Sequence, residues 1–194
     1  MPPFNAERRD LLADAAIELL AREGARGLTH RAVDAAAAVP PGTTSRYFRT
    51  RDALIEAVVW RARALHFADL DRSQPGVLSL DDVVTHLTTI IRHAITTHRS
   101  RHLAMAELFL DSTRRPELRD LLVQTKATQL DLVRKLHAAA GIELTDRQSA
   151  GLSAALTGLL FIAITTPEVL GPRGIDELDD LVRDAARAAI DRSA

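Results

Sequence analysis

A chain of 194 residues is long enough to bury a hydrophobic core, and 46% apolar with 26% charged residues excludes wholesale disorder. The absence of cysteine excludes disulfides, thiolate nucleophiles and zinc–thiolate sites. The net charge of −1 hides a local excess, because five arginines and a single acid, Asp34, lie between Arg26 and Arg51. This stretch is a candidate phosphate-binding surface, and a merely solvated arginine-rich face is the alternative.

Apolar spacing and capping residues predict an all-α protein of about nine helices, with no internal repeat. Thr29 and Thr50 are the predicted N-caps of the second and fourth helices, and Gly24 is the predicted stop after the first. A turn through Pro40-Pro41-Gly42 separates the second and third helices, and Gln74-Pro75-Gly76 closes the fourth. The first four helices are predicted over 5–23, 29–38, 43–48 and 51–71.

Five further helices follow. Ser79 caps one that extends to about His98, and Thr145 with Gln148 forms a capping box for the eighth helix. Gly141 ends the seventh helix, and four prolines and glycines between 167 and 174 separate the last two. The sixth, seventh and ninth helices are predicted over 102–112, 116–140 and 176–192.

The N-terminal ten residues are charged and lack a secretory apolar segment, which favours a cytoplasmic protein. The most apolar window, 150–164, is short for a membrane span and contains two glycines, a serine and a threonine. A buried helix is therefore the expectation there, with no membrane partner.

Two short helices joined by a tight turn, after a longer amphipathic helix, have the dimensions of a three-helix DNA-binding unit. The leading residues of a recognition helix should be small or polar, because the helix enters a major groove about 12 Å wide. Gly42, Thr43, Thr44 and Ser45 fit that requirement. Arginines near both ends of the helix are suited to neutralising phosphate charge.

The segment Leu28–Leu54, LTHRAVDAAAAVPPGTTSRYFRTRDAL, resembles the signature of the tetracycline-repressor (TetR) family of bacterial regulators. The resemblance implies that Thr29 caps a helix and contacts phosphate, and that Val33 and Ala36 pack in the core. It implies that Tyr47 touches phosphate while Phe48 packs inside. The expected DNA contacts are Thr29, Arg31, Pro41, Gly42, Thr43, Thr44, Ser45, Arg46, Tyr47 and Arg51.

Three positions depart from the family pattern. Pro40 stands where serine is common, Thr44 where leucine or valine is frequent, and Ser45 where a phosphate-contacting tyrosine is frequent. Arg46 is the candidate to replace that tyrosine contact. Arg51 matches a position that usually carries lysine, with the same charge.

The resemblance also implies a C-terminal half that dimerises. The eighth helix is apolar nearly all round, which favours a second buried face against a partner copy, although an internal core helix is the alternative. The expected interface is an intermolecular four-helix bundle formed with the ninth helix. Its expected residues are Leu152, Leu156, Leu159, Leu160, Leu178, Leu181, Val182 and Ala185.

A small-molecule effector is the third expected partner, and an amphiphilic pocket within helices four to seven would hold it. A solvated stripe and ordinary core packing are the alternative explanations for the residues chosen. The candidate pocket residues are Trp60, Arg63, Phe67, His86, Thr89, His93, Met105, Phe109, Gln124 and Thr128.

The predicted organisation is a DNA-binding domain over 1–50 that continues into helix 51–71, and an effector-binding and dimerisation domain over 72–194. The predicted function is a repressor that an effector releases from a pseudo-palindromic operator, with no cofactor or metal. One alternative is a helical interaction module that has lost DNA binding. An all-α enzyme is less favoured, because Glu-x-x-His is absent and Asp81-Asp82 with His86 is better explained by helix-dipole effects.

Overall fold

The computed structural model describes residues 5–72 and 79–191, and all regular structure in those ranges is helical. This confirms the all-α prediction and, for the described residues, the number of helices. Two short 3₁₀ turns, Pro167–Leu170 and Gly174–Glu177, lie between the last two helices. The helices are α1 Ala6–Gly27, α2 His30–Ala36, α3 Thr43–Tyr47, α4 Arg51–Arg72, α5 Leu80–Thr96, α6 Arg99–Ser112, α7 Pro116–Ala139, α8 Asp146–Thr165 and α9 Leu178–Asp191.

The predicted caps are confirmed by their hydrogen bonds. The Thr29 hydroxyl accepts from Ala32 N at 3.2 Å, and the Thr50 hydroxyl accepts from Ala53 N at 3.1 Å. Thr145 and Gln148 form the expected reciprocal capping box at the start of α8. Each such contact satisfies an amide that the helix itself leaves without an acceptor.

Some predicted boundaries are wrong. Gly24 interrupts α1 with φ of 68°, but helical structure resumes after it and continues to Gly27. Helix α6 begins at Arg99, three residues before its predicted start. The predicted Gln74-Pro75-Gly76 closure and the predicted end of α9 at Arg192 lie outside the described residues.

Packing divides the described residues into two compact units. The first comprises residues up to Asp69 together with Ser100–Val123, and the second comprises Leu70–Arg99 together with residues from Gln124 onward. The core of the first unit contains Phe48 and Leu54 from the N-terminal helices, and also buried residues of α6 and α7. Those additional residues are Ala104, Leu108, Leu118 and Leu122. The proposed division into a DNA-binding and an effector-binding domain stays a prediction about roles.

The second unit packs α8 against α5 and α9 around a core that includes Val84, Leu152 and Ala186. Helix α8 is the one helix in the described ranges that is long and apolar enough to cross a membrane by those criteria alone, which core helices of soluble proteins also meet. With 20 residues, α8 is longer than the apolar window 150–164 for which the sequence predicted a buried helix. Only 28% of its apolar window is buried, so the expectation of a buried helix holds for one face only.

Candidate DNA-binding interface

The third helix is tied to the second by one buried carboxylate. Asp34, on α2, accepts from Gly42 N and Thr44 N at 2.7 Å each and from the Thr44 hydroxyl at 2.5 Å. Asp34 is 4% exposed and Thr44 is 0% exposed. Burial raises the pKa of Asp34, but the hydrogen bonds from Thr44 and Gly42, with the nearby charge of His30, outweigh it and hold the pKa below its ordinary value.

Asp34, although it lies on α2, therefore caps the N-terminus of α3 by accepting from its first amides. The N-cap position of α3 is Gly42, which has φ of 84° and no side chain to accept from the first amides of the helix. From the sequence, Asp34 was only the single acid of a basic stretch. The available signal was Asp34 itself, which follows Val33 and precedes four alanines in a short helix.

The structure corrects the assignment of Thr44 as a DNA contact. Its side chain is completely buried and its hydroxyl hydrogen is donated to Asp34. It cannot reach a phosphate or a base edge from that position. Thr44 instead fixes the orientation of α3.

The exposed end of α3 carries the hydroxyls that remain available. The Thr43 hydroxyl donates to Pro40 O at 2.6 Å, and the Ser45 hydroxyl donates to Gly42 O at 2.9 Å. Each oxygen retains lone pairs that can accept from an amino group on a base edge. Pro41 and Gly42 are exposed beside them and present no bulky side chain to a groove.

The flanking residues divide into exposed and packed ones. Thr29, Arg31 and Arg46 are exposed, whereas Tyr47 is half-buried against the core. Arg51 is also exposed and donates from Nη2 to Ala25 O at 2.5 Å, which links the start of α4 to the end of α1. Phe48 is 1% exposed, as the family resemblance implies for the second aromatic residue.

The positive charge of residues 26–51 is not compensated by Asp34, the single acid within that segment. All five arginines from Arg26 to Arg51 are exposed, while Asp34 is buried and its oxygens are occupied. The solvent-facing charge of this segment is therefore wholly cationic. Such a surface attracts polyanions through counterion release.

The residues predicted for an effector pocket fall in both units. In the first, Arg63 lies over the rings of Trp60 and Phe67, at 5.1 and 5.5 Å from their centroids. Met105 and Phe109 lie in the same unit. In the second unit, His86 is buried, Thr128 is half-buried, and the exposed residues are Thr89, His93 and Gln124. The pocket as a whole stays a prediction.

Several predicted dimer residues are covered by their own unit. Leu152, Leu178 and Val182 are at most 1% exposed, so their side chains do not lie on a surface that a second copy could contact. Those that remain partly accessible are Leu156, Leu159, Leu160, Leu181 and Ala185. The exposed apolar face of α8, whose residues differ from those predicted for the interface, comprises Gly151, Ala154, Ala155 and Phe161.

Asp81, Asp82 and His86, at the start of α5, are the metal-site alternative that the sequence offers. Among the described side chains, no group of three or more histidines, cysteines or acids is placed to hold a metal ion. Asp82 instead interacts with its own helix start, accepting from the Ser79 hydroxyl at 2.7 Å.

Comparison with known proteins gives matches over most of the chain. Residues 12–58 match the profile of bacterial regulatory proteins of the tetR family, and residues 78–192 match that of the tetracyclin repressor-like C-terminal domain. The HTH-type transcriptional regulator UidR of Escherichia coli (strain K12) is 22% identical over 185 residues, covering 93% of this chain and 87% of that protein.

Solved structures share the fold. A TetR-family member from Streptomyces coelicolor A3 is 28% identical, with a TM-score of 0.73, and the match covers 95% of this chain and 98% of that one. The multidrug binding protein EbrR, complexed with ethidium, is 27% identical, with a TM-score of 0.68 and coverage of 93% and 99%. The second profile alone spans more than half of the sequence, and the first coincides with the helices that carry the cationic face. The chain belongs to the TetR family of transcriptional regulators, with its DNA-binding domain at the N-terminus.

Proposed function

We propose that this regulator is a cytoplasmic repressor that binds a pseudo-palindromic operator as a homodimer and leaves it when a small molecule binds. The observation that carries the proposal is the small, hydroxyl-bearing end of α3, in a segment (26–51) whose arginines are all exposed and whose single acid is buried. Small residues permit entry into the major groove, and the arginines neutralise phosphates on either side.

In this mechanism α3 is the recognition helix. Thr43, Ser45 and Arg46 are the candidates for base-edge contacts, because they are polar side chains of α3 that are not fully buried and, unlike Tyr47, do not pack against the core. Thr29, Arg31 and Arg51 are the candidates for phosphate contacts that fix its register. Helices α1–α3 form the DNA-binding head, and two copies of it would occupy successive major grooves about one helical turn apart.

The exposed face of α8 supports dimerisation. Phe161 is 52% exposed, and it lies on a face built otherwise of glycine and alanine. Small residues allow close approach of a second helix, and burial of the ring would remove apolar surface from water. A second copy of α8 and α9 is therefore the proposed partner of this face.

The packing of the first unit supports a response to an effector. Helices α6 and α7 contribute Ala104, Leu108 and Leu118 to the core that also holds the N-terminal helices. Arg115, between α6 and α7, pairs with Asp111 and with Asp52 at the start of α4. A ligand that shifts α6 or α7 would therefore act on the helix that begins beside the DNA-facing Arg51. EbrR, a relative of similar fold, binds small molecules.

The test is selection of bound sequences from random duplex DNA, followed by affinity measurements over a range of salt concentrations. We expect a pseudo-palindromic consensus and a Kd that rises steeply with salt. Arg51→Glu should abolish binding, whereas Arg119→Glu, which reverses an exposed arginine on α7, should leave it nearly unchanged. A chain that selects no sequence and shows no salt dependence is an interaction module and not a repressor.

A further inference from the structure

Lys126 is an unusual cation in this chain. The sequence contains 23 arginines and only two lysines, Lys126 and Lys135. Lys135 is exposed and paired with Asp131 at 2.8 Å. Lys126, on α7, is half-buried, and no described carboxylate lies within ion-pair distance of its ammonium group.

The two contacts of the Lys126 ammonium are neutral. Its Nζ donates to Gln129 Oε1 at 3.1 Å and to Thr157 Oγ1 at 2.9 Å. An ammonium group has three N–H donors, so one remains without an acceptor among the described residues. Burial also lowers the pKa of Lys126, as expected for a cation that has lost water without gaining a counterion.

A second unused donor, the Ser153 hydroxyl, lies on α8 one helical turn before Thr157. The Thr157 hydroxyl, which accepts from Lys126, donates its own hydrogen to Ser153 O at 2.7 Å. Ser153 is 4% exposed, and its hydroxyl has no hydrogen-bond partner. Buried hydroxyls in folded proteins are nearly always paired, so this orphan points to a group that completes the site.

We propose that Lys126 and Ser153 form a binding site for a small organic carboxylate with an apolar body. One carboxylate oxygen accepts from Lys126 Nζ and the other from Ser153 Oγ. Leu156 and Leu160 are half-buried and follow Ser153 on the same face of α8, so they offer apolar surface to the rest of the ligand. The carboxylate supplies the negative charge that Lys126 lacks.

The proposal that a carboxylate binds here depends only on these contacts. The further proposal that this carboxylate is the effector rests on the proposed function. The site joins α7 to α8. Helix α7 also contributes Leu118 and Leu122 to the core of the first unit, so a ligand on Lys126 contacts a helix that extends into the packing of the DNA-binding head. The uncompensated lysine disfavours cations such as the ethidium bound by EbrR.

The experiment uses the full-length protein labelled with ¹³C at lysine Cε, titrated with benzoate. The two lysines give two resonances, so Lys135 is an internal control. We expect benzoate to shift the Lys126 signal, raise the pKa of its amine and leave Lys135 unchanged. Benzamide, which is neutral and similar in shape, and choline, which is cationic, should shift neither signal.

Variants separate the two proposed contacts. Lys126→Met should weaken benzoate binding about tenfold or more, the loss expected for a charge-assisted hydrogen bond, and Ser153→Ala should weaken it less. Lys135→Met, the matched control, should bind as the parent does. The site is disproved if benzoate leaves the Lys126 resonance unmoved. A Lys126 signal that changes with protein concentration but not with benzoate also disproves it, because a carboxylate of a second copy then occupies the position.

Operator release is measured separately, with the sequence obtained by selection. If benzoate binds Lys126 but does not release the operator, the carboxylate site is confirmed and its role as the effector site is disproved. If the protein binds the operator but does not bind benzoate, the carboxylate site is disproved and the proposed repressor function still stands.

Discussion

The Thr44 hydroxyl donates to the Asp34 carboxylate at 2.5 Å, inside a head whose other buried side chains are mainly apolar. An ionised group at 4% exposure is costly unless its oxygens are satisfied, and here three donors satisfy them. The orientation of α3, the proposed recognition helix, thus depends on hydrogen-bond geometry, which is directional. An apolar pair at these positions would fill space without that directionality.

Asp34→Ala should destabilise the protein by about 2–3 kcal/mol, because it leaves the Thr44 amide and hydroxyl buried without their acceptor. Urea unfolding measures this loss, and Glu18→Ala, at an exposed acid of α1, is the control. Thr44→Ser should retain most of the stability and DNA affinity of the parent, whereas Thr44→Val should lose part of both. Equal stability of Asp34→Ala and the control would show that the carboxylate does not hold α3.

The stability of the protein should fall with acid below about pH 6.5 because of His137. This residue is 0% exposed, its Nδ1 donates to Val133 O at 2.9 Å, and its Nε2 has no partner. Burial lowers the pKa of His137, and the bond to Val133 offsets this only in part. The neutral ring is therefore favoured in the folded state, and the unfolded chain takes up a proton at higher pH than the folded chain does.

His137→Gln, which keeps a donor for Val133 but does not titrate, should flatten the decline of stability between pH 7 and pH 5. His93→Gln changes an exposed histidine and should follow the parent. The urea midpoints of unfolding of the three proteins, measured at each pH, test this prediction. If the stability of the parent and of His137→Gln declines in parallel, protonation of the His137 ring does not destabilise the folded state.

The caps and turns of this fold were predictable because their signals are local. Thr29, Ser79 and Thr145 bond to amides within three residues of themselves, so short sequence windows contain both partners. The Asp34–Thr44 contact depends on the path of the turn between two helices, which no local rule provides. The inclusion of Ala104 and Leu108 in the core of the DNA-binding head depends on packing across more than 40 residues of chain.

The Arg61–Asp14 pair should couple α1 to α4 more strongly than an exposed ion pair does. Arg61 donates from Nε and Nη2 to the two Asp14 oxygens at 2.7 and 2.8 Å, and its side chain is 23% exposed. The planar, two-point geometry predicts a coupling energy of about 1 kcal/mol in a double-mutant cycle with alanine. Arg61→Lys should lose most of that coupling, because an ammonium cannot form the paired contact.

The exposed pair of Lys135 and Asp131 is the matched control for that cycle, since the two residues are four apart on one helix. Its coupling should be smaller than that of Arg61 with Asp14. Equal coupling in the two cycles would contradict a structural role for the two-point contact.

Phe161→Glu should prevent the proposed dimerisation and weaken operator binding. The ring is 52% exposed on α8, and a carboxylate in its place would be buried without a partner when two copies associate. Sedimentation velocity measures the assembly, and operator affinity measures the consequence, because two half-sites no longer act together. Leu110→Glu removes another exposed apolar side chain, on α6, and should leave both properties unchanged. A Phe161→Glu protein that remains dimeric would place the interface on another surface and leave the apolar face of α8 without its proposed role.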